Sequence, residues 1–312
     1  MPNTGSLTPA SRQEIAADRN QRNESILMTQ YLQFGFTDEQ LASRDIPFRP
    51  DLFAGQTVVI SGGGGGIGRA TAWMFGRLGA KVAICGRNIE KLNETTNPMR
   101  DAGLVVESYL CNIRRIEEVE ALFQAVTKRF GGFDVLVNSA GGQYPQPAID
   151  FTPKGWNAVI ETNLTGTWYM MQTAAKRWIA TGKPGSIINV VAVVDRGMPG
   201  VAHTCAARAG VIALSKTVAV EWAPQNIRIN CIAPGAIDTE GQKVYSEESR
   251  QRSAQSNPMM RFGDAFDVAD AAIYFSGPSG KFVTGETLIV DGGGVLWGEF
   301  WVSDKPDYFK VG

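Results

Sequence analysis

Residues 61–70 read SGGGGGIGRA, directly after the apolar run TVVIS (57–61) and at the head of the helix-like segment GIGRATAWMFGRLG (66–79). A glycine-rich turn between a strand and a helix has a specific physical use. Glycines let the backbone approach a ligand closely, and the unpaired amides of a helix N-terminus favour an anion such as a pyrophosphate. A glycine string alone would mean little. Strand, turn and helix in that order predict a nucleotide-binding βα unit.

Outward from this turn the pattern repeats. KVAIC, LVVESYLC, FDVLVNSAG, GSIINVV, IRINCIAPG and TLIVDGG are short, apolar and rich in β-branched residues. Such runs suit strands buried on both faces of a parallel sheet. Helix-length segments separate them, among them RIEEVEALFQAVTKRFG, PKGWNAVIETNLTGTWYMMQTAAKRWIATG and AARAGVIALSKTVAVEWAP, and several end in glycine, the residue favoured where a helix stops. Repeated βα units predict an α/β fold with a doubly wound parallel sheet. No linker or second core is visible. The expectation is an N-terminal arm over residues 1–50 and one domain over 51–312.

Composition narrows the classes. The chain has 312 residues, 44% of them hydrophobic, and a formal net charge of −1. That is enough apolar mass for a sizeable core, and it gives no electrostatic footprint for nucleic acid or an anionic membrane. The 4 cysteines (Cys85, Cys111, Cys205, Cys231) lack CxxC spacing, and with 1 histidine a zinc site is not expected. No run approaches the roughly 18 apolar residues of a membrane helix. The N-terminus lacks a signal-peptide core and the C-terminus YFKVG lacks an SKL-type address, so a soluble, cytoplasmic protein is expected.

The spacing S-G-x-x-x-G-I-G at 61–68 resembles the glycine signature of the short-chain dehydrogenase/reductase family. NSAG (138–141), Asn163 in ETNLTG, IAPGAIDT (232–239) and FVTGETLIVDGG (282–293) match that family's further motifs in order, over about residues 55–293. The resemblance implies a Rossmann-type fold and a nicotinamide dinucleotide held by Ser61, Gly62, Gly64, Gly65, Gly66, Ile67, Arg87, Asn112, Asn138, Ala140, Gly141, Arg208, Pro234, Gly235, Ile237 and Thr239. Cofactor choice is read at the end of the second strand, where an acidic residue would hold a ribose 2′-hydroxyl. Cys85-Gly86-Arg87-Asn88 stands there instead. A cation and a glycine suit a 2′-phosphate, so NADP(H) is expected over NAD(H).

The segment VVAVVDRGMPGVAHTCAARAG (190–210) departs from the family pattern. Where the family carries Ser, then Tyr-x-x-x-Lys, this chain has Ala192, Thr204 and Arg208. The spacing of four keeps 204 and 208 on one helical face. An aliphatic hydroxyl, however, is a far weaker acid than a phenol of pKa about 10. GGQYPQPAIDFTPKGWNAVIETNLTGTWYM (141–170), AHTCAARAGV and the tail VLWGEFWVSDKPDYF are similar to the family's enoyl-CoA-reducing members, the trans-2-enoyl-CoA and 2,4-dienoyl-CoA reductases. Those members also lack the usual tyrosine in this helix, although the dienoyl enzymes place one after the fifth strand, where Val191 stands here.

The resemblance implies reduction of the C=C of an acyl-CoA. Alternatives are a ketoreductase with an atypical proton donor and a catalytically impaired cofactor-binding subunit. In the first reading Thr204 donates to the thioester oxygen, Arg208 fixes the ribose hydroxyls, and Asn163 positions a water or the active-site helix. Arg208 stays charged and cannot shuttle protons. His203, Tyr144 and Tyr169 are secondary acid candidates. Met259, Met260 and Phe262 are candidate apolar contacts for the substrate, and Arg250, Arg252 and Arg261 for coenzyme A phosphates. A homotetramer or homodimer is expected, with the arm or the aromatic tail (Trp297, Phe300, Trp301) reaching a neighbour.

Overall fold

The computed structural model describes residues 34–297; Phe300, Trp301 and the first part of the arm lie outside them. Seven strands form a single sheet, each from one of the apolar runs. They are β1 (Thr57–Ser61), β2 (Lys81–Gly86), β3 (Val106–Leu110), β4 (Val135–Asn138), β5 (Gly185–Val190), β6 (Ile227–Pro234) and β7 (Thr287–Val290). Every pairing is parallel. The order β3-β2-β1-β4-β5-β6-β7 reverses direction between β1 and β4. Ser61 is in register with Cys85 of β2 and Asn138 of β4, so the three strands end at one level. A crevice opens beyond those ends, where such sheets bind ligands.

The flanking helices are α1 (Asp38–Ser43), α2 (Gly66–Arg77), α3 (Ile89–Asp101), α4 (Ile116–Phe130), α5 (Pro153–Ile160), α6 (Thr167–Thr181), α7 (Ala202–Trp222), α8 (Glu247–Ala254) and α9 (Ala265–Ser276). The pleat divides the core. Val58 and Ile60 face a layer that contains Trp73, Phe75, Phe266 and Phe275. Val59 and Leu136 face Phe123, Met170 and Trp178 on the other side. Two buried faces explain why these strands read as continuous apolar runs rather than alternating ones.

The sequence pattern predicts one long helix over the GWNAVIETNLTGTWYM region. The structure breaks it with a π-turn, Glu161–Gly166, between α5 and α6, and such turns often sit at functional sites. The described part of the arm packs on its own subunit. Thr37 and Gln40 form a capping box at α1, Leu41 joins the core, and Phe36 meets Phe266 edge-on. Arg44 lies over both of those rings and pairs with Asp264 at 2.9 Å.

Candidate active site

The turn after β1 is compressed against the turn after β4. Gly62 has φ +74°, and a Cβ there would lie 2.8 Å from the Ala140 backbone. Only a residue without a side chain satisfies both demands. Ser61 ties the same turns together: its hydroxyl accepts the Ala140 N–H at 3.2 Å and its carbonyl accepts the Ser139 N–H at 3.2 Å. At the head of α2 the Gly66 N–H donates to a carboxylate oxygen of Glu240 at 2.9 Å. The helix N-terminus thus already holds an anion, supplied by the chain itself, in the place where glycines and free amides suit a phosphate.

A cleft of about 1120 Å³ runs from this turn along the C-terminal ends of the strands. Gly62, Gly64, Gly65, Gly66, Ile67, Arg87, Asn112, Ala140, Gly141, Pro234, Gly235, Ile237 and Thr239 all line it. Ser61 and Asn138 do not. Both are buried, with Asn138 donating to Asn189 Oδ1 at 2.9 Å and Asn189 donating on to Ser215 Oγ at 2.9 Å. Arg87, directly after β2, is exposed, lines the cleft and makes no ion pair among the described residues. Asn88 caps α3 by accepting the Lys91 N–H at 2.8 Å.

Thr204 and Arg208 also line the cleft, four residues apart on α7 as the spacing requires. The Arg208 guanidinium packs on the Cα of Gly141, so closely that any side chain at 141 would collide with it. Burial pushes its pKa down to about 10, with Cys231 opposing. It therefore keeps its charge at neutral pH, yet no carboxylate pairs with it among the described residues. A buried cation without a counter-ion, facing a cleft, is a binding group for oxygen atoms. Asn163, on the π-turn, accepts the Gly142 N–H at 3.0 Å and donates to the Gly142 carbonyl at 3.0 Å. Its side chain fixes the loop after β4, and both ends of its amide are used in doing so.

His203 is wholly buried and does not line the cleft. Its ring sits 4.3 Å from that of Phe151 and 4.8 Å from that of Tyr144, measured between centroids. Its Nδ1 accepts the Thr204 backbone N–H at 2.8 Å and lies 3.3 Å from the Thr204 hydroxyl. Loss of hydration pulls its pKa below the ordinary histidine value, with the Val201 backbone opposing, so the ring is neutral. It buttresses Thr204 from behind.

A family model described as enoyl-(acyl carrier protein) reductase matches residues 62–294. The chain belongs to the short-chain dehydrogenase/reductase family. It is 36% identical over 265 residues to a peroxisomal 2,4-dienoyl-CoA reductase of Arabidopsis thaliana, covering 81% of this chain and 88% of that one. It is 36% identical over 243 residues to a probable 2,4-dienoyl-CoA reductase of Bacillus subtilis, covering 76% and 96%. Among solved structures, an actinorhodin polyketide ketoreductase with NADPH superposes with a TM-score of 0.74 at 30% identity, over 78% of this chain and 98% of that chain.

Within this family member the cradle fits a nicotinamide dinucleotide. The glycines make room for it, the α2 N-terminus accepts an anion, and the unpaired Arg208 faces the interior of the cleft. Other sequence candidates fall elsewhere. Tyr144 and Tyr169 pack away from the cleft. Met259, Met260 and Phe262 do not line it. Arg250 pairs with Glu247, Arg252 with Glu248 and Arg261 with Asp267, all locally. Sequence reasoning missed Lys91, Gln143, Arg196, Glu240 and Tyr245, which do line the cleft. One signal was available: Tyr245 is the only phenol between Asp238 and Asp264.

Proposed function

We propose that this oxidoreductase reduces the C=C bond of a 2-enoyl-CoA or a related acyl-CoA, with NADP(H) as cofactor. The observation that carries the proposal is the pairing of Thr204 and Arg208 on the cleft face of α7, with neither phenol nor amine on that face. The reduced nicotinamide, when bound, supplies the hydride. Hydride addition to an α,β-unsaturated thioester gathers negative charge on the thioester oxygen, and a positioned donor there is worth about 3–4 kcal/mol. Thr204 is suited to be that donor. Thr204 lines the cleft, with His203 Nδ1 3.3 Å from its hydroxyl.

Arg208 is suited to hold the ribose hydroxyls with its fixed charge, and Asn163 to keep the Gly142 loop in place. Arg87, exposed and unpaired at the end of β2, supports the 2′-phosphate and hence NADP(H). The members' acyl-CoA substrates support the substrate class. We also propose a homotetramer or homodimer.

Nicotinamide oxidation against a panel of enoyl-CoA, dienoyl-CoA, 3-oxoacyl-CoA and simple ketones tests this reading. Turnover with the unsaturated thioesters and tighter binding of NADP(H) than NAD(H) is the expected result. Turnover with ketones alone favours a ketoreductase. No turnover at all favours a cofactor-binding subunit.

A further inference from the structure

Thr204 polarises an oxygen but is too weak an acid to complete the reaction, since an enolate still needs a proton at carbon. Tyr245, on the segment between β6 and α8, puts a half-buried phenol into the cleft that Thr204 and Arg208 line. Its hydroxyl oxygen accepts a hydrogen bond from the Gln143 side-chain amide. Gln143 directly follows Gly142, which Asn163 clasps, and lies two residues beyond Gly141, on which Arg208 packs. The contact therefore joins the segment after β6 to the loop after β4 on which Arg208 packs. An amide N–H can only donate, so this bond leaves the phenol's own proton free. The Tyr245 hydroxyl donates to no residue among the described ones.

We infer that Tyr245, held across the cleft by Gln143, is the proton donor to the substrate in this chain. The inference rests on the acyl-CoA reading above. A bound reduced nicotinamide would supply the hydride that forms a C–H bond at the far carbon of the conjugated system, and would be oxidised by that loss. The C=C electron pair shifts into a thioester enolate whose oxygen Thr204 holds. The enolate carbon then takes the Tyr245 proton, and the phenolate is reprotonated from solvent. Burial raises the Tyr245 pKa, while the bond from Gln143 counteracts the rise by stabilising the phenolate. The charged groups that share the cleft are Arg208 and Arg196 from α7 and the loop before it, Lys91 from α3, Arg87, Glu240 and Asp291.

Tyr245→Phe and Gln143→Leu in the full chain test the inference. Tyr245→Phe is expected to lower kcat by about 10²-fold, the scale of a lost general acid. It should also abolish the alkaline limb of the pH–kcat profile and leave the cofactor dissociation constant, read by tryptophan fluorescence, unchanged. Gln143→Leu should move that limb to higher pH with little change in KM. The same upward move should appear without any turnover in a phenolate-absorbance titration, taken as the difference between each protein and its Tyr245→Phe form. Wild-type turnover and an intact alkaline limb in Tyr245→Phe would overturn the proton-donor role while leaving the acyl-CoA reading standing. A wild-type protein that reduces no unsaturated acyl-CoA would overturn both. An identical phenol titration with and without Gln143 would contradict the contact itself.

Discussion

At position 204 the chain carries a hydroxyl with a neutral imidazole behind it. Removing that hydroxyl with Thr204→Ala should lower kcat/KM for an unsaturated acyl-CoA by about 10²–10³-fold, whereas Thr204→Ser should retain most of it. Steady-state kinetics decide, and equal losses in both variants would remove the hydroxyl from the mechanism. His203 makes a separate prediction about stability. Burial holds its folded pKa below the ordinary value, while the unfolded chain titrates near about 6.5. As pH falls through that value the unfolded state binds the extra proton, so stability present above it is lost toward acid. Thermal melts should show wild type losing more than His203→Phe between neutral and mildly acidic pH, and parallel curves would contradict a buried neutral ring. The four-residue spacing of Thr204 and Arg208 is legible in the sequence. The pairing of Thr204 with His203 is not, because a neighbour along a helix usually points elsewhere. Here the contact is made through the backbone N–H of the next residue.

The elements repay comparison with their sequences unevenly. Every strand was legible as a short, mostly apolar, β-branched run; burial on both faces explains the central ones, as in β1 and β4, while the edge strands β3 and β7 are partly exposed. The π-turn at Glu161–Gly166 was not, because nothing in the spacing of ETNLTG separates an α-helix from a π-turn. Its position depends on the Asn163 clamp on Gly142, a contact between residues distant in sequence. The cofactor end of the cleft followed from glycine chemistry at α2. The substrate end did not: Gln143 and Tyr245 sit in irregular loops whose approach depends on the whole sheet. At the α2 N-terminus, Glu240 occupies the Gly66 amide that a phosphate would use. Glu240→Gln removes the competing charge and should tighten dinucleotide binding by roughly fivefold, the scale of one charge at a helix end. Calorimetric titration would register this, and weaker binding would mean that Glu240 assists the cofactor instead.

Across the whole molecule, the sheet closes on one side with β7, a partly exposed edge strand. Beside it Phe282 is 100% exposed, with Tyr274 and Leu288 also showing apolar surface. Exposed apolar side chains and an open sheet edge are costly in a free monomer. Light scattering should report a dimer or tetramer, and Phe282→Asp should shift the mass downward. A monomeric wild type would contradict the assembly proposed above. Among the described residues no helix is long and apolar enough to cross a membrane. Of the arm expected over residues 1–50, the described part is residues 34–50, and its Leu41 reaches the same core as α2 and α9.

The carbon that receives the hydride distinguishes C=C reduction from carbonyl reduction. Single-turnover reaction with NADPH deuterated at the transferring position, followed by mass spectrometry of the coenzyme A product, reads this directly. A deuterium on a carbon of the former double bond, in a product two hydrogens richer and with its thioester intact, is the predicted result. A label on a carbinol carbon from a 3-oxoacyl substrate, with unsaturated thioesters untouched, would contradict it.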